Sequence, residues 1–325
     1  MALLEVRDLS VTFASGGQPV EAVRKVGFEL DRGQTLAIVG ESGSGKSVTA
    51  LSILQLLPYP LASHPSGTIR FDGQELIGRD DRFLRTIRGR RIGMIFQEPM
   101  TSLNPLHSVE RQITEVLFVH RGLGRAEARA RALELLRLVR ISDPETRLAS
   151  FPHQLSGGQR QRVMIAMALA NEPDILIADE PTTALDVTVQ AQIMKLLGEL
   201  QAAFGMATIL VTHDLGVIAG FCREVMVMYG GRVMEKAPVD PLFESPTHPY
   251  TRGLIGAIPR LDIAQGEVLV TIPGQPPDMA RAPAGCPFAP RCPEAGADCD
   301  AAMPALLPFG TGRARACHRS VEALA

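Results

Sequence analysis

The sequence has no tryptophan and only three tyrosines, and aromatic residues make up 5% of its 325 residues. It also lacks an excess of either charge, since 33 lysines and arginines face 35 aspartates and glutamates, for a formal net charge of −2. Nucleic-acid binding depends on basic residues that neutralise phosphates, so no nucleic-acid partner is expected. The one strongly basic stretch, residues 79–91, is expected to be a solvated face, with contact to lipid head groups or a membrane partner as the alternative.

Long apolar runs are absent as well. No stretch of about 20 uninterrupted apolar residues occurs, which is the length that a membrane-spanning helix needs. The N-terminal residues MALLEVRDLSVTF alternate as a strand does and lack the basic-then-apolar layout of a signal peptide. We therefore expect a cytosolic location. If the protein serves transport, other chains must form the channel.

The length and the periodicity of the chain predict one large α/β domain followed by an appendage. Residues 3–39 and the Asp72-Gly73 turn predict an antiparallel β region, and residues 100–170 an α-helical insert. Apolar strands and helices alternating from residue 175, including a helix over 187–204, predict a mainly parallel, doubly covered sheet. Residues 215–222 are a further predicted helix, in which Cys222 is a small buried side chain.

A change of composition to Pro, Gly, Ala and Cys marks a boundary. We predict a domain over residues 1–245 and a C-terminal extension over residues 246–325. The extension is not disordered by composition alone, because residues 267–272, EVLVTI, have the pattern of a strand.

Residues 40–47, GESGSGKS, match the pattern G-x-x-x-x-G-K-[ST], a loop whose backbone N–H groups wrap a nucleotide's phosphates. In this pattern Lys46 reaches the outer phosphates and the Ser47 hydroxyl binds Mg²⁺. The predicted ATP-binding residues of the loop are Gly40, Glu41, Ser42, Gly43, Ser44, Gly45, Lys46 and Ser47. Alone, the loop predicts a nucleotide triphosphatase of unspecified kind.

A second turn, LSGGQ at residues 155–159, opens onto a long apolar helix. Unpaired N–H groups and the helix dipole favour negative charge at such a helix start. One phosphate loop and one spare phosphate-facing turn in the same chain indicate a site completed by a second copy. The residues concerned are Ser156, Gly157, Gly158 and Gln159, and the alternative is a simple helix start.

Two carboxylates follow the apolar strand at residues 175–178. This is the end of a strand at which an open α/β sheet holds its ligands. Asp179 would hold Mg²⁺ through its water shell, and Glu180 would polarise the attacking water as general base. The alternative is that this pair and Pro181 end the strand and cap the next helix.

Taken in order, these motifs resemble an ATP-binding cassette (ABC) ATPase, which is an α/β P-loop NTPase. The resemblance narrows to the ATP-binding subunits of bacterial dipeptide and oligopeptide importers. It is carried by IFQEPMTSLNP at 95–105, DEPTTALDVTVQAQI at 179–193, HPYTRGLI at 248–255 and CPFAPRC at 286–292. The implied fold has a mainly parallel sheet core, an antiparallel β-subdomain, an α-helical insert and a small cysteine-containing C-terminal segment.

The resemblance assigns further residues. Gln97 would contact Mg²⁺ and the attacking water and begin the loop that senses the transmembrane partner. His213 would contact the γ-phosphate, and Phe13 would stack on adenine. The plainer alternatives are a surface glutamine, a loop histidine and a core phenylalanine. Residues 156–158 would face ATP bound to the opposing cassette, and Asp186 would lie at the seam between the two.

ATP and Mg²⁺ are the implied cofactors, and the implied function is to energise import of dipeptides or oligopeptides. The protein would be peripheral on the cytoplasmic face of the membrane. Its partners would be a second ATPase subunit (a paralogue or another copy), two permeases, and an extracytoplasmic substrate-binding protein. A nickel or other small-solute importer is the alternative cargo class, and a soluble ABC ATPase acting on nucleic acid or ribosomes is a remote one.

Four of the five cysteines lie near the C-terminus: Cys286, Cys292, Cys299 and Cys317. Disulfides are rare in the cytosol, whereas four thiolates suit zinc or an iron–sulfur cluster. Paired C-x-x-C knuckles, which are typical of zinc sites, are absent. The spacing and the resemblance favour a 4Fe–4S cluster that staples the extension, with zinc and free thiols as the alternatives.

Overall fold

The computed structural model describes residues 2–14, 17–183, 185–258, 271–281 and 283–320. This part of the chain divides into two compact units. One, here called the helical unit, comprises Leu30–Thr35 and Gly78–Val211; the other, the phosphate-loop unit, comprises Ala2–Glu29, Leu36–Ile77 and the described residues from Thr212 onward. Over the described ranges, none of the helices combines the length and the apolar character needed to cross a bilayer.

The phosphate-loop unit begins with an antiparallel sheet. The first elements of the unit, in chain order, are β1 (Leu4–Phe13), β2 (Val20–Leu30), β3 (Thr35–Val39), α1 (Lys46–Ile53), β4 (Ala62–Phe71) and β5 (Gln74–Glu75). The sheet order is β2-β1-β4-β5, and β1 pairs with β4 so that Leu4 lies opposite Phe71. The predicted turn between β4 and β5 is confirmed, because Asp72 and Gly73 have φ angles of 50° and 76°, as a tight hairpin turn requires.

The helical unit contains a parallel sheet and most of the helices. Its elements are α2 (Asp81–Ile87), β6 (Ile92–Ile95), α3 (Pro99–Ser102), α4 (Val109–Arg121), α5 (Arg125–Leu138), α6 (Pro144–Leu148), α7 (Gly157–Leu169), β7 (Ile175–Asp179), α8 (Val187–Phe204) and β8 (Ala207–Thr212). Strands β6, β7 and β8 are parallel neighbours in that order. Helices α3 to α7 occupy the predicted insert, and α8 has the predicted bounds.

An ion-pair cluster fixes the approach to β7. Asp174 accepts hydrogen bonds from Arg32 Nη1 at 2.8 Å and from Arg91 Nε at 2.7 Å. Burial alone would raise the pKa of Asp174, but the two arginines outweigh it and hold this pKa below its ordinary value. The cluster ties the residue just before β7 to the two segments of the same unit that contain Arg32 and Arg91.

The phosphate-loop unit resumes after β8. Its remaining elements are β9 (Glu224–Tyr229), β10 (Arg232–Pro238), α9 (Val239–Glu244), α10 (Pro249–Gly256), α11 (Ala297–Ala301), β11 (Leu307–Pro308) and β12 (Ala314–Arg315). Strand β3 pairs in parallel with β9, and β10, β12 and β11 follow in antiparallel order. The C-terminal extension thus adds two short strands to the sheet that carries the phosphate loop.

Two predicted elements have a different outcome. The helix predicted over residues 215–222 is wrong: only a single 3₁₀ turn, Leu215–Val217, forms there. Gly216 and Gly220 disfavour a longer helix, because glycine loses the most backbone freedom on ordering. Most of the predicted strand at 267–272 lies outside the described residues, and Thr271 and Ile272 are not in a strand.

A buried carboxylate anchors the start of α10. Glu235 has no exposed surface and accepts hydrogen bonds from Thr247 N at 3.0 Å, Thr247 Oγ1 at 2.6 Å and His248 N at 3.0 Å. Arg313 Nη2 lies 3.6 Å from the same carboxylate. A buried charge needs such partners, so this network fixes where the chain enters α10.

Candidate nucleotide-binding site

The loop at residues 40–47 joins β3 to α1. Its backbone approaches neighbouring backbone so closely at two glycines that a side chain would not fit there. A Cβ atom on Gly40 would lie 2.1 Å from the Met228 carbonyl oxygen. A Cβ on Gly45, whose φ is +98°, would lie 2.6 Å from the Ala22 carbonyl oxygen. Only glycine permits this close approach, so the sequence forms a cradle of backbone N–H groups at the start of a helix.

The polar side chains of the loop suit an anionic ligand. Lys46 is 5% exposed, and its Nζ donates to the carbonyl oxygens of Gly40 at 2.8 Å and Glu41 at 3.0 Å. The Ser44 hydroxyl oxygen is buried and has no hydrogen-bond partner among the described residues. A buried hydroxyl of this kind is normally satisfied, so its position inside the cradle fits a ligand rich in acceptors.

The other loop residues lie at the rim. Ser42 and Gly43 are exposed at the apex, and Ser47 is half-buried in the first turn of α1. The N–H groups of that turn and the positive end of the helix dipole favour an anion. The cradle can therefore hold phosphate oxygens, and Ser47 supplies a hydroxyl in the same turn, the type of oxygen ligand that Mg²⁺ binds.

The predicted carboxylates lie at the end of β7 in the helical unit. Asp179 is the last residue of the strand and is 5% exposed. Glu180 follows with a φ of +45°, a left-handed conformation that is uncommon for glutamate. Its Oε2 atom accepts hydrogen bonds from Gln97 Nε2 at 2.8 Å and from Thr183 Oγ1 at 2.9 Å. Two donors orient this carboxylate, which can accept a proton from a water molecule.

The alternative that the carboxylate pair caps the next helix is not what the structure contains. Helix α8 is capped by Asp186, whose carboxylate accepts from Val189 N at 2.9 Å. Asp186 is exposed, and Ala184 before it lies outside the described residues. Asp179 and Glu180 are therefore not used to begin α8.

The LSGGQ turn forms the N-terminus of α7. The Ser156 hydroxyl accepts from Gln159 N at 3.3 Å, and Gln159 Oε1 accepts from Ser156 N at 3.0 Å, which together make a capping box. Ser156 and Gly157 are exposed, whereas a Cβ on Gly158 would lie 2.9 Å from a methyl group of Val189. The turn is a well-formed helix start, and it also offers the exposed dipole end that an anion requires.

Phe13 and His213 complete the predicted set. Phe13 is the last residue of β1 and is half-buried. His213 is exposed directly after β8. Both belong to the phosphate-loop unit, whereas Gln97, Asp179 and Glu180 belong to the helical unit.

The four C-terminal cysteines line one small cavity, together with His248 and His318. All are free thiols. Burial raises the pKa of Cys286 to about 11 and also raises that of Cys292 and Cys317. Nevertheless, no group of three or more His, Cys, Asp or Glu side chains within the described ranges is arranged to hold a metal ion. Cys222, in contrast, is 5% exposed, as predicted for a buried apolar role.

Known proteins resemble this chain over nearly its whole length. Residues 23–183 match the ABC transporter family, and residues 234–299 match the family described as oligopeptide/dipeptide transporter, C-terminal region. The oligopeptide transport ATP-binding protein OppD of Salmonella typhimurium is 52% identical over 322 residues, which are 99% of this chain and 95% of that protein. The chain belongs to the ABC transporter family. The fold class and the ATPase assignment predicted from the sequence are thereby confirmed.

Two further comparisons agree with this ABC ATPase assignment. The peptidoglycan transport ATP-binding protein YejF of Agrobacterium fabrum is 60% identical over 258 residues, which are 79% of this chain and 47% of that protein. The solved dimer of the ATP-binding cassette MJ0796, bound to ADP and Pi, has a TM-score of 0.66 and 33% identity. The structural match covers 73% of this chain and 98% of the MJ0796 chain.

The sequence motifs did not predict every contact at the site. Thr183, which donates to Glu180, lies four residues after Asp179, and the motif assigned it no role. Tyr250 and Arg291 lie inside HPYTRGLI and CPFAPRC, two segments that carry the resemblance but assign these residues no role. Both contact Glu41 of the phosphate loop in the structure.

Proposed function

We propose that this ABC ATPase hydrolyses ATP to energise the import of dipeptides or oligopeptides across the cytoplasmic membrane. The observation that carries the proposal is the 52% identity, over 99% of the chain, to a protein named for oligopeptide transport. The match of residues 234–299 to the oligopeptide/dipeptide transporter C-terminal region supports the same cargo class. Peptidoglycan fragments are a second candidate cargo, favoured by the 60% identity to YejF.

In the proposed reaction, the cradle at residues 40–47 binds the phosphates of ATP and Lys46 neutralises their charge. Phe13 stacks on adenine, and His213 donates to the γ-phosphate. Glu180 accepts a proton from the water that attacks the γ-phosphorus, while ADP leaves. Ser47, Gln97 and Asp179 would hold Mg²⁺, which would supply positive charge to neutralise the phosphates. The two hydrogen bonds that orient the Glu180 carboxylate support its role as the base.

A second ATPase subunit completes each site in this proposal. Ser156, Gly157, Gly158 and Gln159 bind the γ-phosphate of ATP held by the opposing subunit, and Asp186 lies at the seam. The exposed N-terminus of α7 supports this role, and the second subunit is a paralogue or another copy. ATP would favour the closed pair because it binds that state better than the open one.

The remaining proposed partners are two permeases and an extracytoplasmic substrate-binding protein. The ATPase would be peripheral on the cytoplasmic face of the membrane. A reconstituted importer tests this assembly by uptake of labelled peptide into vesicles. Lys46→Ala in this subunit and its mate should abolish uptake, whereas Lys195→Ala, on an exposed face of α8, should leave it unchanged. Undiminished uptake with Lys46→Ala would overturn the proposal, and uptake of peptidoglycan fragments or Ni²⁺ without peptide would redirect the cargo class.

We infer that the four C-terminal cysteines bind a 4Fe–4S cluster with a structural role. The shared cavity and the thiol donor set support this inference, although the described side chains do not form a ready metal-holding group. Anaerobically purified protein should be brown and contain iron and sulfide, and Cys292→Ala should lose both while Cys222→Ala keeps them. Colourless, iron-free protein would reject the cluster, and zinc in its place would identify a zinc site instead.

A further inference from the structure

Glu41, the second residue of the phosphate loop, is held at three separate atoms. Its backbone N–H donates to Tyr250 Oη at 2.9 Å. Its carbonyl oxygen accepts from Lys46 Nζ at 3.0 Å. Its carboxylate accepts from Arg291 Nη1 at 2.7 Å. Two of these three partners, Tyr250 and Arg291, come from the C-terminal extension and none of the assigned functions uses them.

Arg291 is the centre of this contact. Its side chain is only 6% exposed, and besides Glu41 it donates to Tyr229 Oη at 3.0 Å. Its other nitrogens donate to the carbonyl oxygens of Ile272 at 3.1 Å and Pro273 at 2.9 Å. A planar guanidinium that makes this many bonds in fixed directions defines the position of each partner. Arg291 therefore ties the loop, the end of β9 and the extension to one another.

Three buried aromatic rings support the contact. The rings of Tyr229 and Tyr250 lie 4.5 Å apart, and that of Phe288 lies 5.4 Å and 5.2 Å from them. All three side chains are fully buried. Ring pairs at these distances pack favourably and restrict one another's movement. The phenol that accepts from Glu41 N is thus fixed by packing as well as by hydrogen bonding.

The position of Glu41 determines the shape of the cradle. Its neighbour Gly40 packs so closely against Met228 that a side chain would not fit, and Lys46 bonds the carbonyl oxygens of both Gly40 and Glu41. Rotation of the Glu41 peptide would displace the Lys46 ammonium and the N–H groups that follow it. A cradle fixed before the ligand arrives loses less conformational freedom when it binds.

We propose that the C-terminal extension positions the nucleotide site: Tyr250 and Arg291 hold Glu41 so that the phosphate loop is preformed for ATP. Both are positioning residues, since they act through Glu41. The proposal rests on the phosphate-binding role of residues 40–47 proposed above.

Tyr250→Phe is the sharpest test, because it removes the hydroxyl and keeps the buried ring. The Kd for MgATP, measured on the purified full chain, should rise about threefold to tenfold, which corresponds to the net worth of one hydrogen bond. Arg291→Met should raise it about tenfold to a hundredfold, because the lost bonds involve charged groups. Amide hydrogen exchange in residues 41–45 should also accelerate in both variants.

Matched controls separate positioning from general loosening. Tyr59→Phe makes the same chemical change at a tyrosine that is 45% exposed and bonds Gln55 and His64 instead. Arg131→Met removes a half-buried arginine of the helical unit, one that pairs with Glu134 and Glu172 and not with the loop. Both controls should keep the parental Kd for MgATP.

Two outcomes count against the proposal. A parental Kd and parental loop exchange in Tyr250→Phe and Arg291→Met would overturn it, as would an equal rise in Kd for Arg131→Met with an equal loss of stability. In contrast, a parental Kd for Lys46→Ala would show that the loop is not the nucleotide site, which is a failure of the proposed function itself. A double substitution with Glu41→Gln should add little to Arg291→Met if both act through one contact.

Discussion

Replacing Glu180 by glutamine separates proton acceptance from the geometry of the site. The amide oxygen of glutamine can still accept from Gln97 and Thr183, which donate to Glu180 Oε2 at 2.8 and 2.9 Å. The side chain therefore keeps its place but loses its charge and its ability to take a proton. Positioned general bases contribute about 10²–10⁴-fold to rate, so we expect Glu180→Gln to slow turnover by that factor. This corresponds to about 3–5.5 kcal/mol in the activation barrier.

The matched variant is Thr183→Val, which removes one of the two donors and keeps the carboxylate. One hydrogen bond has a net worth of about 0.5–1.5 kcal/mol, so turnover should fall only about twofold to tenfold. Phosphate release by the reconstituted transporter measures both effects, and equilibrium binding of MgATP should remain at the parental value. Turnover of Glu180→Gln close to the parental rate would refute the assignment of the base. Equal losses in Glu180→Gln and Thr183→Val would show that orientation, and not proton acceptance, limits the reaction.

Three other substitutions follow from the structure. Gly45→Ala should weaken MgATP binding and destabilise the fold, since its Cβ would lie 2.6 Å from a carbonyl oxygen. The Cβ of Gly43→Ala would meet no described atom within 4 Å, so this variant should cost only the left-handed strain of about 1–2 kcal/mol. Equal effects of the two variants on the Kd for MgATP would contradict this prediction. Asp174→Asn should lower the free energy of unfolding by about 1 kcal/mol at pH 7, after allowance for solvent screening. Because the pKa of Asp174 is held below its ordinary value of 3.8, the stability difference between the two proteins should persist down to about pH 3.8 and shrink as the pH falls further. Urea denaturation at several pH values measures it, and a difference that grows in acid would contradict the prediction. Glu235→Ala should cost about 3 kcal/mol in urea denaturation by leaving buried donors unsatisfied, and the exposed Glu244→Ala should cost almost nothing; similar losses would contradict the buried anchor.

The sequence was most informative where local chemistry decides the structure. The glycines of the phosphate loop, the continuous apolar strand before Asp179 and the Asp72-Gly73 turn each require one conformation of the backbone, and each has it. Helix α8 also has its predicted bounds. The prediction of a helix over residues 215–222 was wrong because two glycines in this segment disfavour a longer helix, and one 3₁₀ turn forms.

Contacts between distant parts of the chain could not be predicted in this way. Tyr250 and Arg291 are separated from Glu41 by 209 and 250 positions, and no local propensity relates them. The paired carboxylates were predicted, but the role of Thr183 was not. Its hydroxyl reaches back across a turn and helps to orient the Glu180 carboxylate. The four C-terminal cysteines differ in this respect, because the prediction of one cluster required them to converge, and in the structure they line one cavity.

Aromatic residues are scarce in this chain, so the places where its tyrosines lie are significant. Two of the only three tyrosines in the chain are fully buried beside the phosphate loop, and both use their hydroxyl groups in contacts to it or to Arg291. Burial raises the pKa of both phenols, so each remains neutral and able to hydrogen-bond near pH 7. A core needs only apolar volume at such positions, and phenylalanine would supply it without a buried hydroxyl that must find a partner. The hydroxyls therefore serve the geometry of the loop, and this is why removing one oxygen atom from Tyr250 separates the positioning role from simple packing.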